Sequence, residues 1–335
     1  MYVEAAQAPD AVREQLHTNA ARIARLAQRL RHSPPRAIVT CARGSSDHAA
    51  TFARYLIETR LGVLTSSAAP SVSSVYESAP DLSGSVVLAI SQSGASPDLL
   101  AAVSRARSAG ARIVAMVNAE TSPLAQLADD LIPLRAGAER SVAATKSWIA
   151  SLAAIVQLVA EWAQDAVLAA QLQQAPEQLE RAWQLDWSAA VALLAPLSNL
   201  YVIGRGPGLG IAQEAALKLK ETCGLHAEAL SAAELRHGPM ALVRAGFPLL
   251  LFSQNDETRA GMETLIAELV AQGAALLVAG MPAPHTQVLP TVGAHPVIEP
   301  MLFAQSFYRM VNQLALARGR DPDRPPHLNK VTETI

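Results

Sequence analysis

Residues 86–98 read VVLAISQSGASPD, and this stretch decides the fold. Val86 to Ile90 is an unbroken apolar run, short and rich in β-branched residues, as in a strand buried on both faces. Ser91-Gln92-Ser93-Gly94 then breaks the run with turn residues. Ser96 suits the N-cap of a following helix, Pro97 its first position and Asp98 its first turn. A helix is predicted over 97–109. Strand, tight turn and helix together make one step of a parallel α/β sheet.

The same step recurs in both directions along the chain. Ala37 to Cys41 is a short apolar strand, Arg43-Gly44-Ser45-Ser46 a turn and 47–61 a helix. Arg112 to Val117 is a third strand. Further on, Leu200 to Ile203 leads into Gly204-Arg205-Gly206 and a helix over 209–222. Pro248 to Phe252 leads into Ser253-Gln254-Asn255, and Ala274 to Ala279 follows Gly273. Gly44 precedes Ser91 by 47 residues, and Gly206 precedes Ser253 by 47. Gly44 precedes Gly110 by 66, and Gly206 precedes Gly273 by 67. Such agreement points to an internal duplication. The predicted fold class is α/β, with two tandem domains, each a doubly wound parallel sheet with helices on both faces.

The expected boundaries are a helical lead-in at 1–34, a first domain at 35–165, a helical connection at 166–195, a second domain at 196–319 and a tail at 320–335. Val12, Leu16, Ile23, Leu26 and Leu30 give the lead-in a helical apolar face. The uncharged run Ser147 to Ala160 is too short to span a bilayer, which takes about 20 residues. It reads as a buried helix. Pro322, Pro325 and Pro326 give the tail the composition of a disordered terminus, with Leu328 and Val331 as an apolar close that can dock.

Composition narrows the function. Of 335 residues, 50% are hydrophobic and 17% charged, with a formal net charge of −2. Nothing in that balance favours nucleic acid or a membrane surface as a partner. The two cysteines, Cys41 and Cys223, form no disulfide framework, and no Cys/His spacing indicates zinc. No metal and no organic cofactor is expected. Without a signal segment at its start, the chain is expected in the cytoplasm.

Three groups of residues could carry chemistry. Ser91, Gln92, Ser93 and Ser96 combine hydroxyls with the free N–H groups of a helix start, which is a phosphate cradle. Arg43-Gly44-Ser45-Ser46 has the same form, and in an open parallel sheet both turns fall at the ligand-binding edge. Gly204-Arg205-Gly206-Pro207-Gly208 is not a dinucleotide fingerprint, because it lacks the G-x-G-x-x-G spacing and an acidic residue on a second strand. Glu214, Lys218 and Glu221 share one face of an Ala-rich helix. Carboxylates beside a lysine in a partly buried pocket are suited to proton transfer. His226, Glu228, Glu234 and His237 follow closely but match no metal motif.

The segment 214–243, EAALKLKETCGLHAEALSAAELRHGPMALV, resembles the isomerase half of glutamine–fructose-6-phosphate aminotransferase, a pair of sugar isomerase (SIS) domains. SQSGASPD at 91–98, SVAATKSW at 141–148 and HLNKVTETI at 327–335 resemble other parts of that half, in the same order. The resemblance spans nearly the whole chain. It implies sugar-phosphate contacts at Ser46, Ser91, Gln92, Ser93 and Ser96, and a backbone contact at Val142. It implies that Glu221 moves a proton between C1 and C2 with Lys218 beside it, and that Lys330 can form a Schiff base with a ketose, so that the tail 320–335 closes the active site. His237 would assist ring opening from a partner subunit, in a homodimer with shared active sites.

The chain opens with Met1-Tyr2, where the aminotransferase has a glutaminase domain with an N-terminal cysteine. That departure shifts the expectation toward the SIS-type glucosamine-6-phosphate deaminases: glucosamine 6-phosphate and water giving fructose 6-phosphate and ammonia. Arg43 and Ala144 also depart from the family pattern and leave the sugar open. The alternatives are a galactosamine-6-phosphate deaminase, an aldose–ketose isomerase, a deglycase for fructosamine-type phosphates, or a sugar-phosphate sensor without catalysis.

Overall fold

The computed structural model describes residues 1–78 and 80–330. Its strands form two five-stranded sheets. The first contains β1 (Ile38–Cys41), β2 (Thr65–Ser67), β3 (Val86–Ser91), β4 (Arg112–Val117) and β5 (Asp130–Pro133), in the order β2-β1-β3-β4-β5. The second contains β6 (Asn199–Gly204), β7 (His226–Ser231), β8 (Pro248–Phe252), β9 (Ala275–Ala279) and β10 (Gln287–Leu289), in the order β10-β9-β8-β6-β7. Every pairing is parallel. Read from the opposite edge, the second sheet repeats the order of the first. Both are doubly wound, with the chain reversing direction across the sheet beside β1 and β6.

The central strands formed where apolar runs predicted them. β3 is buried at every position, as a strand covered on both faces must be. β2, β5, β7 and β10 were not read from the sequence. They flank the central strands, and all four start on polar residues, so no continuous apolar run marks them.

By contacts the chain divides into two compact units. The first holds β1–β5 within Asp10–Glu139, together with Lys146–Gln173 and, of the tail, Leu328 to Lys330. The lead-in helix, Ala8–His32, buries Val12, Leu16, Ile23, Leu26 and Leu30. Its buried amides Gln15 and Asn19 donate to the carbonyls of Leu134 (3.0 Å) and Pro133 (2.7 Å), closing the end of β5. Helix Lys146–Ala163 is buried nearly all round and packs on helix Ser45–Leu61. One apolar core lies between β1, β3, β4 and helix Pro97–Ser108, with Val87, Ala89, Leu99, Val103 and Ile113 at its centre.

The second unit holds β6–β10 within Gln174–His327, together with Met1–Pro9 and Arg140–Thr145. Its core joins Ile203, Leu249, Leu251, Leu265, Leu269 and Val278. Helix Glu299–Ala317 packs against helix Gly208–Cys223. The start of the latter lies tight on β6: a Cβ on Gly204 would come 2.2 Å from the Gly208 carbonyl oxygen. Only glycine permits that approach.

The tail differs from the disorder its composition predicts. Pro322 and Pro325 are buried, and Asp323 pairs with the N-terminal ammonium. Leu328 is exposed rather than docked. Val331 lies outside the described residues. Among those described, no helix is long and apolar enough to cross a membrane.

Candidate active site

The serine turn stands at the carboxyl end of β3, the ligand edge of a doubly wound sheet. Gly94 N–H donates to Ser91 Oγ at 2.9 Å and Ala95 N–H to Ser93 Oγ at 3.4 Å, which winds the turn tightly. Asn118, Ala119 and Leu124 N–H donate to the carbonyls of Ser91, Gln92 and Gly94, pinning the turn to the loop after β4. Gly94 has φ +62°, and a Cβ there would lie 2.2 Å from Ser122 Oγ and 2.8 Å from Val117 Cγ2. Gly94 is therefore fixed by both conformation and space.

Ser96 occupies the N-cap of helix Pro97–Ser108, as expected, but its hydroxyl makes no capping hydrogen bond. The capping role assigned to its side chain is thus corrected. Instead Asp98, 1% exposed, accepts from Leu99 N–H at 2.8 Å. Arg43 Nε donates to the other Asp98 oxygen at 2.7 Å. That pair ties the β1 turn to the β3 helix and offsets the acidic charge at the helix start. Ser46 lies in the first turn of helix Ser45–Leu61, half-buried like Gln92, Ser93 and Ser96. Cys41 of β1 pairs with Ala89 of β3, so the two turns are neighbours. The structure brings Ser46 and the Ser91–Ser96 turn to one edge.

Lys330 reaches the same unit. Its Nζ lies 3.7 Å from Glu139 Oε2, and Glu139 is buried. Glu139 was not among the residues singled out in the sequence. The only sign there is an acidic residue two positions before the SVAATKSW segment.

In the second unit, helix Gly208–Cys223 presents the charged ladder. Lys218 Nζ lies 3.3 Å from Glu214 Oε1 and 2.7 Å from Glu221 Oε2. The lysine and Glu214 are fully buried, deeper than the partly buried pocket the sequence led us to expect, while the Glu221 side chain keeps 19% exposure. Tyr308, from helix Glu299–Ala317, donates its hydroxyl to Glu214 Oε1 at 3.0 Å. Burial alone would push the Lys218 ammonium toward neutrality, but Glu214 and Glu221 outweigh it and its pKa is raised. The result is a fixed positive charge that orients the one ladder carboxylate open to a ligand.

Val142 is half-buried on the segment Arg140–Thr145, whose Arg140 and Ser141 N–H groups donate to Glu4. His237 is exposed, at the end of the short 3-10 turn Glu234–Arg236. Among the described residues no hydrogen bond or ion pair joins it to the ladder within the second unit. His226 and Glu228 lie on β7 toward its amino end and line an open cavity of about 360 Å³ with Tyr201 and Arg244. Among the described residues no group of His, Cys, Asp and Glu is arranged to hold a metal ion.

A doubly wound parallel sheet with a tight serine turn at its carboxyl edge belongs to the α/β class in which ligands sit at that edge. The SIS domain family matches residues 33–161 and 193–279, and the chain belongs to that family. It is 35% identical over 308 residues to glutamine–fructose-6-phosphate aminotransferase of Aeropyrum pernix, covering 86% of this chain and 49% of the relative. The chain thus spans about half the length of the curated relatives it matches. A Silicibacter pomeroyi DSS-3 protein assigned as a phosphosugar isomerase superposes with a TM-score of 0.92 at 40% identity, covering 96% of this chain and 99% of the other. The C-terminal domain of glucosamine–fructose-6-phosphate aminotransferase from Francisella tularensis superposes with a TM-score of 0.88 at 26% identity, over 97% and 98% of the two chains.

Proposed function

We propose that the chain converts glucosamine 6-phosphate and water to fructose 6-phosphate and ammonia. The observation that carries this is Glu221: a carboxylate open to a ligand, held by a buried ammonium that Glu214 and Tyr308 fix in turn. Such a group suits repeated proton transfer between adjacent carbons of one sugar. The serine turn, with Ser46, holds the phosphate. His237 assists ring opening, and its exposure in the single chain fits delivery to the site of a second copy in a homodimer. Glu221 carries the C2 proton to C1 through an enolamine. The ketose imine then takes up water and loses ammonia. A positioned base contributes about 10²–10⁴-fold, and holding the open-chain sugar supplies further acceleration.

Burial raises Cys41 to about 12 and Cys223 to about 11, so neither thiol is a nucleophile for glutamine hydrolysis. Release of ammonia in water is the direction we propose for the C1–C2 chemistry assigned to Glu221. Reduced thiols of this kind also fit a cytoplasmic setting.

The test is an ammonia-release assay on glucosamine and galactosamine 6-phosphates, with fructosamine 6-phosphate as a third substrate. Ammonia from glucosamine 6-phosphate, lost in Glu221→Gln, is the expected result. Purified protein that releases none from any of the three would sink the proposal. Binding without turnover would identify a sensor.

A further inference from the structure

The partner of Lys330 is the part of this site with no role so far. Glu139 is 6% exposed, on the segment between β5 and helix Lys146–Ala163. Its Oε2 accepts from Ser147 Oγ at 2.6 Å and its Oε1 from Ser147 N–H at 3.3 Å. The chain leading to it is held just as firmly. Asn118, at the end of β4, donates to the Gly137 carbonyl and accepts from Ala136 N–H, both at 2.8 Å. Asn118 N–H itself donates to the carbonyl of Ser91. Arg135 at φ +51° and Gly137 at φ +68° turn this segment back onto the sheet edge. A non-glycine residue in that conformation is strained and persists where the surroundings demand it. The carboxylate is thus built onto the same edge as the serine turn, with Lys330 Nζ 3.7 Å away.

Helix capping alone does not account for it. Exposed Ser, Asp or Asn side chains cap helix starts without the desolvation that burying a carboxylate costs. We infer that Glu139 is the proton-transfer partner of Lys330. The inference rests on the proposed function together with the Schiff base that the family resemblance implies between Lys330 and a ketose.

Glu139 takes one proton from the Lys330 ammonium, leaving a neutral amine. The amine nitrogen attacks the C2 carbonyl carbon of the open-chain ketose phosphate, and the C2 oxygen takes a second proton from that nitrogen. Protonated Glu139 then returns its proton to the C2 hydroxyl as the C–O bond breaks. Water leaves, an iminium joins C2 to Lys330, and the carboxylate is restored. The Ser147 donors keep the carboxylate aimed throughout. No oxidant, metal or further reactant is consumed.

Borohydride trapping tests this on the full chain. Fructose 6-phosphate with sodium borohydride should leave a stable secondary amine on Lys330, read by peptide mass. In Glu139→Gln the trapping rate should fall about 10²-fold. Glu139→Asp should recover about tenfold of that loss, since it keeps a proton acceptor. Affinity for glucitol 6-phosphate, which has no carbonyl to attack, should stay within about threefold in both variants, because the phosphate cradle is untouched. Trapping in Glu139→Gln at the native rate overturns the inference. So does a parallel loss of glucitol 6-phosphate affinity, which would mark Glu139 as scaffold only. Absence of any adduct in the native chain, with ammonia still released, removes the Lys330 imine and this inference with it but leaves the deaminase reading standing.

Discussion

The two sheets share one strand order, yet the loops at their carboxyl edges are finished in opposite ways. After β3, Ser91-Gln92-Ser93-Gly94 leaves Gln92, Ser93 and Ser96 half-buried and the Ser96 hydroxyl uncommitted to its helix. After β8, the matching Ser253-Gln254-Asn255-Asp256 is filled by its own side chains. Gln254 is fully buried and donates to the Arg205 carbonyl and to Asp256, both at 2.8 Å. Asp256 accepts from Thr258 N–H at 2.9 Å, and Glu299 accepts from Asn255 N–H at 2.7 Å. The second sheet supplies its own carboxylates to this loop, whereas the matching turn of the first sheet is the one proposed to take the phosphate. On that proposal one fold holds an anion in one copy and chemistry in the other, because a helix start is satisfied equally well from inside or outside.

The sharpest way to break this division is to disable each half separately. Glu221→Gln should lower turnover by about 10²–10⁴-fold while leaving sugar-phosphate affinity nearly unchanged. Ser93→Ala should do the reverse, raising KM with a small change in kcat, because it removes a contact made equally in ground and transition states. Steady-state kinetics on both variants decides. Equal losses in kcat from both would mean that the halves are not specialised.

Stability should divide in the same way. Lys218→Met leaves Glu214 buried against no ammonium, and removing one member of a buried ion pair costs about 3–5 kcal/mol. Arg43→Met removes a partner that is half exposed, and should cost about 1 kcal/mol or less, although Asp98 itself is buried. Denaturant midpoints at constant m-value test the contrast. The pH dependence has a definite sign. The Lys218 pKa is raised in the folded state, so its contribution is complete below the ordinary lysine value of 10.5 and is lost as pH rises through the higher folded value. Stability of the native chain should fall above that range, and Lys218→Met should lack this component of the fall.

A smaller effect separates the glycines. Gly94→Ala must push its Cβ into Ser122 at a positive φ, which should cost about 1–3 kcal/mol and weaken sugar-phosphate binding. Gly44 has a similar φ of +54° but no atom within 4 Å of a built Cβ. Gly44→Ala should cost only the backbone term, about 1–2 kcal/mol. Calorimetry on the two variants measures the steric part as their difference.

The strands and the charged ladder were legible before the structure, the contrast between the two loops was not, and the unread parts have physical reasons. Apolar runs such as Val86–Ile90 mark central strands, since both faces must be covered. β7, reading HAEALS, buries only Ala227 fully and so carries no strand signal of its own. The Glu214–Lys218–Glu221 spacing showed a shared helix face but not its depth, because depth is set by Tyr308 and helix Glu299–Ala317, far away in sequence. Glu139 was missed for a similar reason. Its partners, Ser147 and Lys330, meet it only in three dimensions.

The smallest effect is the most direct check on the filled cradle. Asp256 stands where an anion would sit at the start of helix Arg259–Ala271, and it accepts from Thr258 and Gln254. If it is only an internal stand-in, Asp256→Ala should cost about 1 kcal/mol, the usual worth of a helix-start acceptor. Turnover and KM should not move. Because the vacated donors then face solvent or an ion, inorganic phosphate or sulfate should restore part of the lost stability, by RT ln(1 + [L]/Kd). The native chain should show no such component from this loop. Thermal melting across a phosphate series, run on Asp256→Ala in a Ser93→Ala background, isolates the second sheet from the first. Recovery of stability there would show that the two cradles differ in what fills them rather than in backbone form. No recovery would mean that the backbone itself has diverged and that Asp256 is simply one polar side chain in a closed loop.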